Sequence, residues 1–190
     1  MKTIMISVHP QHALNILTGE KTIEVRKTKP KCDLPFRVVV YVTKKDINLF
    51  IRNGKSKASP KFVTIEKSKK KLMFFDLSSF DIDAMRMIDD ELEPANGKVV
   101  AEFVCDRVDI ITTDSLSSVA KKACLTESEL DSYLGVVRNS NFNHYAWGKA
   151  LHITDLKVYD KPKELNKFCT AKKCKPLENP PQNFMYVEEL

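Results

Sequence analysis

The chain has 190 residues, of which 43% are apolar and 29% are charged, and it contains only five glycines. This length allows one well-packed core and is short for two full domains, and the composition excludes a largely disordered chain. No run of eighteen apolar residues occurs, and the apolar stretch before His9 is too short for a signal peptide, so we predict a cytoplasmic protein that does not bind membranes.

Positive charge is concentrated in the first third of the sequence. Residues 1–71 contain 17 Lys and Arg against 5 Asp and Glu, whereas residues 72–135 contain 5 against 14. A polyanion such as RNA would be attracted to a surface built from the first segment, because clustered cations release condensed counterions when they bind phosphates. A solvated, lysine-rich surface explains the charge bias equally well.

The first elements are a strand, a helix and two further strands. Residues 3–8 are rich in β-branched side chains, and a short helix begins at Pro10 and ends at Gly19, which suits a left-handed cap. Residues 21–27 alternate, with Ile23 and Val25 on the core face and polar residues on the other face. Residues 37–43 are almost continuously apolar, as is typical of a central buried strand.

Residues 44–96 have the character of an insertion. A hairpin is predicted from the apolar runs at 62–65 and 72–77, and apolar residues at helical spacing predict a surface helix over 79–92. This insertion would leave one domain spanning residues 1–190.

The remaining chain alternates between strands and short helices. Residues 97–113 predict a long strand that bends midway, and Thr126 with Glu129 forms a capping box for a helix that closes near Gly135. Residues 145–160 form two strands or one interrupted strand, residues 162–168 begin a short helix at Pro162, and residues 184–190 form a final strand. Many short strands with few helices favour an α+β mixed barrel.

The five cysteines are an odd number and widely scattered, so free thiols in a reducing compartment are expected. Cys169 and Cys174 are separated by four residues, a spacing that could suggest a metal site. No partnering CxxC or HxxxH occurs elsewhere in the sequence. We therefore predict neither a metal site nor another cofactor.

Residues 19–26 read GEKTIEVR and match the pattern G-x-K-x-x-E-x-R. This pattern resembles the signature of the ASCH family, within the PUA-like superfamily, and the preceding strand, His-Pro, short helix and glycine are the expected setting. Residues 145–168 and 180–187 also resemble a bacterial and phage branch of that family. The resemblance covers residues 1–43 and 97–190, and it implies a PUA-like mixed β-barrel with short flanking helices and an insertion at about 44–96.

The resemblance implies binding of RNA, a nucleotide or a modified nucleoside, because ASCH proteins are similar in fold to RNA-reading barrels. A small branch of the family resembles amidohydrolases that remove acyl groups from acetylated cytidine. That branch has threonine where this chain has Glu24, so the hydrolase activity does not follow from the motif. A hydrolase acting on an acylated nucleoside or, in the manner of a ribonuclease, on RNA would use Lys21 and Glu24 as its catalytic groups.

Lys21 follows the helix cap, where a turn could direct its ammonium group toward a cleft, and Glu24 and Arg26 share one strand face. One of that pair could read a base edge or ribose while the other binds phosphate. An ordinary surface Glu–Arg pair beside an exposed lysine is the structural alternative, worth under about 1 kcal/mol.

Two further groups complete the predicted site. The start of the first helix could hold an anion, although His9 could equally be only the residue before that helix. Aromatic residues near position 145 could stack on an unpaired base, or Trp147 could belong to the core. The predicted ligand-binding residues are Ser7, His9, Gly19, Lys21, Thr22, Glu24, Arg26, Tyr145 and Trp147.

Overall fold

The computed structural model describes residues 1–44, 47–53, 62–65, 70–76, 92–135, 138–139, 142–143 and 148–190. The strands are β1 (Thr3–Val8), β2 (Ile23–Arg26), β3 (Phe36–Val42), β4 (Ile47–Asn53), β5 (Phe62–Ile65), β6 (Lys70–Asp76), β7 (Leu92–Pro94), β8 (Lys98–Cys105), β9 (Val108–Ile110), β10 (Arg138–Asn139), β11 (Phe142–Asn143), β12 (Lys149–His152), β13 (Thr154–Glu164), β14 (Phe168–Thr170) and β15 (Phe184–Glu189). The helices are α1 (Pro10–Thr18), α2 (Leu116–Lys122) and α3 (Glu127–Leu134).

A six-stranded sheet in the order β13-β8-β3-β1-β15-β14 forms the largest layer. Strand β3 pairs in parallel with β1 and antiparallel with β8, and every residue of β3 except Arg37 is buried. The apolar run at residues 37–43 therefore forms a central strand, as predicted, because both faces of β3 are covered.

The other described strands form three smaller sheets, with the orders β2-β12-β9, β5-β6-β4-β7 and β10-β11. The sheets are not closed into one barrel across the described residues. The predicted bend in residues 97–113 explains part of this separation, because β8 lies in the large sheet whereas β9, after a break at Asp106 and Arg107, pairs with β12. The predicted hairpin in the insertion is present as the antiparallel pair β5 and β6.

The ends of α1 and α3 form as their sequence signals predict. Pro10 occupies the first turn of α1, and Gly19 ends the helix at φ 80°, with its N–H donating to the carbonyl of Ile16. At α3, the Thr126 hydroxyl accepts from the Glu129 N–H while the Glu129 carboxylate accepts from the Thr126 N–H. This reciprocal pair satisfies two backbone donors that the helix itself leaves free.

The helix predicted from Pro162 is wrong. Pro162 lies inside β13, which continues to Glu164, and only a single 3-10 turn, Leu165–Lys167, follows. Strand β13 is at the edge of the large sheet, and its pairing with β8 shifts register between Val158 and Lys163. A proline is tolerated there because an edge strand with an irregularity does not require its missing N–H.

Two apolar clusters position the site. One lies between the large sheet and α1, with Ile6, Ile16 and Val40 fully buried, and the other packs Ile23 and Val25 of β2 under α2 and α3. Strand β2 therefore runs along the boundary between the two clusters. Its polar residues, Glu24 and Arg26, lie on the strand face opposite Ile23 and Val25.

Some predictions fall outside the described residues. The surface helix at residues 79–92 belongs almost entirely to this part, as do Tyr145 and Trp147, the proposed stacking aromatics. The division into one domain with an insertion stays a prediction. None of the described helices has the length and apolar character needed to span a bilayer.

Candidate functional site

Strand β2 carries two polar side chains that are buried on the face opposite its apolar residues. Ile23 and Val25 pack against α2 and α3, so Glu24 and Arg26 point to the opposite face, where they are only 5% and 7% exposed. Lys21 precedes the strand and is 3% exposed. Its backbone N–H donates to the carbonyl of Asn15 in α1, which fixes the turn from which its side chain leaves.

These three charged groups meet. Glu24 lies between the two cations: its Oε2 is 3.3 Å from Lys21 Nζ, and its Oε1 is 2.9 Å from Arg26 Nε. Lys21 Nζ also donates to the backbone carbonyl of Ala123 at 3.1 Å. That carbonyl ends α2, where a cation is favoured by the unpaired carbonyls and the helix dipole.

Arg26 joins distant parts of the chain. Its Nη2 donates to the carbonyl of Ser7 at 2.9 Å, at the end of β1, and its Nη1 donates to the carbonyl of Asn183 at 3.3 Å. The Ser7 hydroxyl in turn donates to the carbonyl of Pro181 at 2.6 Å. The guanidinium group is therefore bound by two backbone carbonyls, one earlier and one much later in the sequence.

Buried polar atoms at this site are left without a hydrogen bond among the described residues. They are Glu24 Oε2, Arg26 Nε and His12 Nδ1. The contacts of Glu24 with Lys21 and Arg26 are short enough for ion pairs but do not have hydrogen-bond geometry. An unsatisfied buried acceptor costs about 1–3 kcal/mol, so this cluster is expensive to keep in the folded protein.

A cavity of about 400 Å³ opens beside the three charged residues. Its walls come from the end of β1, the start of α1, strand β2, helix α3 with the residues before it, and the segment before β15. The lining residues are Ser7, Val8, His9, His12, Lys21, Glu24, Val25, Arg26, Leu125, Glu129, Tyr133 and Gln182.

The structure places the remaining sequence-predicted residues differently. Ser7 and His9 line the cavity, although the hydroxyl of Ser7 is already bonded to Pro181. Gly19 caps α1 and lines no part of the cavity, and Thr22 is exposed, with its backbone bonded to Lys122 and Ile153. Gly19 and Thr22 therefore shape the turn that carries Lys21 and do not face the cavity.

His12 is a cavity residue that the sequence reasoning missed. Burial, followed by the nearby charge of Lys21, lowers the pKa of His12 from its ordinary value of 6.5, so the neutral imidazole predominates at pH 7. Its ring centre lies 6.4 Å from that of His9. The spacing of His9 and His12 by one helical turn, away from the apolar face of α1, was the available signal.

Helix α3 supplies Glu129 and Tyr133 to the cavity wall. The carboxylate of Glu129 accepts the backbone N–H and then the side-chain hydroxyl of Thr126, and these bonds lower its pKa. Tyr133 is 42% exposed, burial raises the pKa of its phenol, and Lys27 Nζ lies 5.5 Å from its ring centre. Tyr133 is thus an aromatic face at the cavity, in a helix whose capping box was recognised from sequence.

The arrangement can bind a polar ligand on one side and an aromatic ring on the other. Two cations and one carboxylate give the buried cluster a net positive charge, which favours an anionic ligand. Glu24 offers an acceptor, His12 offers either a donor or an acceptor, and Tyr133 offers a ring face.

The sequence matches no protein-family model and no curated protein. Solved structures do match over nearly the whole chain. An ASCH protein from Zymomonas mobilis is 17% identical with a TM-score of 0.56, over 98% of this chain and 88% of that one. A serine-to-alanine variant of the Zymomonas protein gives 17% identity and a TM-score of 0.56 over 98% of this chain and 89% of that chain. A tyrosine-to-phenylalanine variant of the same protein gives 16% identity and a TM-score of 0.56 over 99% of this chain and 91% of that chain.

Proposed function

We propose, for a chain that has the α+β, PUA-like fold of the ASCH proteins, that the cavity around Lys21, Glu24 and Arg26 binds a nucleotide. The ligand is a free nucleotide, a modified nucleoside or an unpaired nucleotide of an RNA strand. The observation that carries the proposal is a buried cluster of two cations and one carboxylate that lines an open cavity.

The size of the cavity suits a single nucleotide. Its volume of about 400 Å³ falls within the range of about 300–1,000 Å³ that small-molecule sites occupy. A base pair within a duplex could not enter a site whose charged groups are this deeply buried. An unpaired base can be turned out of a strand and inserted, which is how sequence-reading RNA proteins usually work.

Charge favours phosphate near Arg26 and Lys21. The ammonium group of Lys21 has three N–H donors, of which the Ala123 carbonyl and Glu24 occupy two directions. Arg26 uses Nη1 and Nη2 on two backbone carbonyls and keeps further donors on the same nitrogens. Each cation therefore has a donor left for an anionic oxygen.

Glu24 supports recognition of a base edge or a ribose hydroxyl. An ionised carboxylate only accepts hydrogen bonds, and Glu24 is one of the residues that line the cavity. An exocyclic amino group, a ring N–H or a 2′-hydroxyl would each donate to it. Discrimination by such a buried acceptor is strong, because a ligand without the donor leaves the carboxylate unsatisfied.

Tyr133 and Lys27 extend the site toward the solvent. The tyrosine ring offers a face on which any base can stack, worth about 1–3 kcal/mol per base. Lys27 is exposed and lies over that ring, so it is placed to contact a neighbouring phosphate of a longer RNA.

The hydrolase alternative is less well supported by this geometry. A nucleophilic amine must be neutral, whereas Glu24 and the Ala123 carbonyl both stabilise the charged ammonium group of Lys21. Glu24 would also have to exchange protons while it compensates two cations. Catalysis remains testable by incubating the protein with acylated cytidines and with RNA. Product that the wild type forms and that is absent with Glu24→Gln, in conditions where circular dichroism shows the variant to be folded, would favour the enzyme.

The binding proposal is tested by titrating fluorescent single-stranded RNA, and mononucleotides in competition, into the protein and two variants. Lys21→Met keeps the hydrocarbon stem and removes the ammonium group, and we expect it to weaken binding at least about tenfold. Lys157→Met is the matched control, because Lys157 is 71% exposed and lies in β13, away from the cavity. Equal affinities for the wild type and a folded Lys21→Met would contradict the proposal.

A further inference from the structure

A second cluster of reactive side chains lies apart from the cavity, at the edge strand β14. The sulfur atoms of Cys169 and Cys174 are 3.0 Å apart, and the carboxylate of Glu188 lies within 4.8 Å of both sulfur atoms. The sequence drew attention to the two cysteines but not to Glu188, because Glu188 comes from the neighbouring strand β15 and has no fixed spacing from them.

The backbone places all three groups. Cys169 pairs directly with Glu188 across β14 and β15, so their side chains leave on the same face of the sheet. Cys174 follows a tight turn in which its N–H donates to the Thr170 carbonyl at 2.9 Å, and its φ of 48° is left-handed. A left-handed cysteine held by a hydrogen bond brings the second sulfur back over β14.

We propose that Cys169, Cys174 and Glu188 bind a thiophilic divalent cation of the zinc class, with a water molecule in the fourth position. Two thiolates and a carboxylate are ligands that zinc takes in proteins. Cys169 is buried while Cys174 and Glu188 are exposed, so an ion can enter from solvent and rest against the sheet.

The sulfur separation is close to what such an ion requires. Two sulfurs bound tetrahedrally at about 2.3 Å from zinc are about 3.8 Å apart, so the pair must part by less than about 1 Å. A disulfide requires a bond of about 2.05 Å, so the pair would have to close by a similar amount. Distance alone does not choose between the two outcomes.

Glu188 favours the cation. A carboxylate beside two sulfurs gives a cation a third ligand, whereas a disulfide makes no use of it. A divalent cation is attracted to the carboxylate and neutralises both thiolates. The exposed lysines of the turn, Lys172 and Lys173, oppose the cation, but their charges are screened by solvent.

The test uses the full chain, reduced and freed of metal, titrated with Co²⁺ and then Zn²⁺. Thiolate-to-cobalt charge-transfer absorption at one equivalent, displaced by Zn²⁺, is the expected result. Cys174→Ser should abolish it, and Glu188→Gln should weaken binding at least about tenfold. Cys32→Ser is the matched control, since Cys32 is a half-buried cysteine outside the cluster, and it should leave the absorption unchanged.

Three outcomes would overturn the proposal. They are a reduced protein that shows no thiolate absorption with either Co²⁺ or Cd²⁺, absorption that survives in Cys174→Ser, and loss of two hydrogens by mass through disulfide formation without metal uptake. Because Cys174 is exposed, its replacement by serine tests the site without disturbing the core, which a change at buried Cys169 would risk.

Discussion

Glu24 and Arg26 lie two residues apart on β2, and their side chains meet at 2.9 Å between Oε1 and Nε while both remain at least nine-tenths buried. The carboxylate also faces Lys21, so one anion compensates two cations. Well-packed hydrophobic residues in place of a buried ion cluster are often as stable or more so, so a contribution to stability does not by itself account for these charges.

Glu24→Gln should therefore destabilise the fold strongly. The amide keeps the shape of the side chain but leaves Lys21 and Arg26 as two buried cations without a counter-ion, and breaking such a cluster costs about 3–5 kcal/mol. Urea unfolding followed by circular dichroism measures the change. Glu178→Gln is the comparison, because Glu178 is 71% exposed and pairs with the equally exposed Lys175; an equal or larger loss there would contradict the account.

Stability should fall as the pH falls below about 6.5, in part through His12. Burial and Lys21 lower the pKa of this histidine in the folded state, so the unfolded chain binds its proton more readily. The stabilising contribution is complete above the unfolded pKa and is lost as the pH falls through the lower, folded pKa. Midpoints of urea unfolding at several pH values should show a shallower decline in His12→Gln; an identical decline would exclude His12 as a source.

Tyr133 should contribute to nucleotide binding through its ring and not through its hydroxyl. Tyr133→Phe keeps the ring at the cavity and should leave the affinity for single-stranded RNA within about twofold, whereas Tyr133→Ala should lower it about tenfold. Fluorescence anisotropy at fixed salt measures both. If the two variants lose affinity equally, the ring does not stack on a base.

Gly148→Ala should destabilise the junction between α3 and β12. A Cβ at this position would lie 2.9 Å from Leu134 Cδ1 and 3.0 Å from Ile111 Cβ, inside the cluster that supports β2. Overpacking of this kind costs about 1–3 kcal/mol. Thermal unfolding should show a lower midpoint for Gly148→Ala, and the loss caused by Gly148→Ala should be smaller when it is measured in the Leu134→Ala background if the clash is the cause.

Local signals in the sequence predicted the local parts of the site. Gly19 as a left-handed cap, the alternation that turns Glu24 and Arg26 to one face, and the capping box at Thr126 all depend on neighbouring residues, and all are present. The ASCH-type fold that the resemblance implied is matched by the fold of the Zymomonas structures. The helix prediction at Pro162 was wrong because proline is allowed both at the start of a helix and in an irregular edge strand. In each place the backbone does not need the missing N–H, so the local sequence does not distinguish them.

The partners of the motif could not be predicted from spacing. Arg26 bonds to Ser7 and to Asn183, which is 157 residues away, and Lys21 bonds to Ala123, which is 102 residues away. These contacts arise from the pairing of β1 with β15 and from the packing of α2 on β2, which are tertiary. Tyr133 was missed for the same reason, since only the docking of α3 brings its ring to the cavity.

The carbonyl of Asn183 accepts from Arg26, and that of Pro181 accepts from Ser7, so residues late in the chain close a wall that begins near its start. During synthesis, the motif leaves the ribosome long before residues 181–183 do. A nascent chain therefore holds Ser7 and Arg26 without these two carbonyl partners, and this wall of the cavity can close only after residues 181–183 have been synthesised.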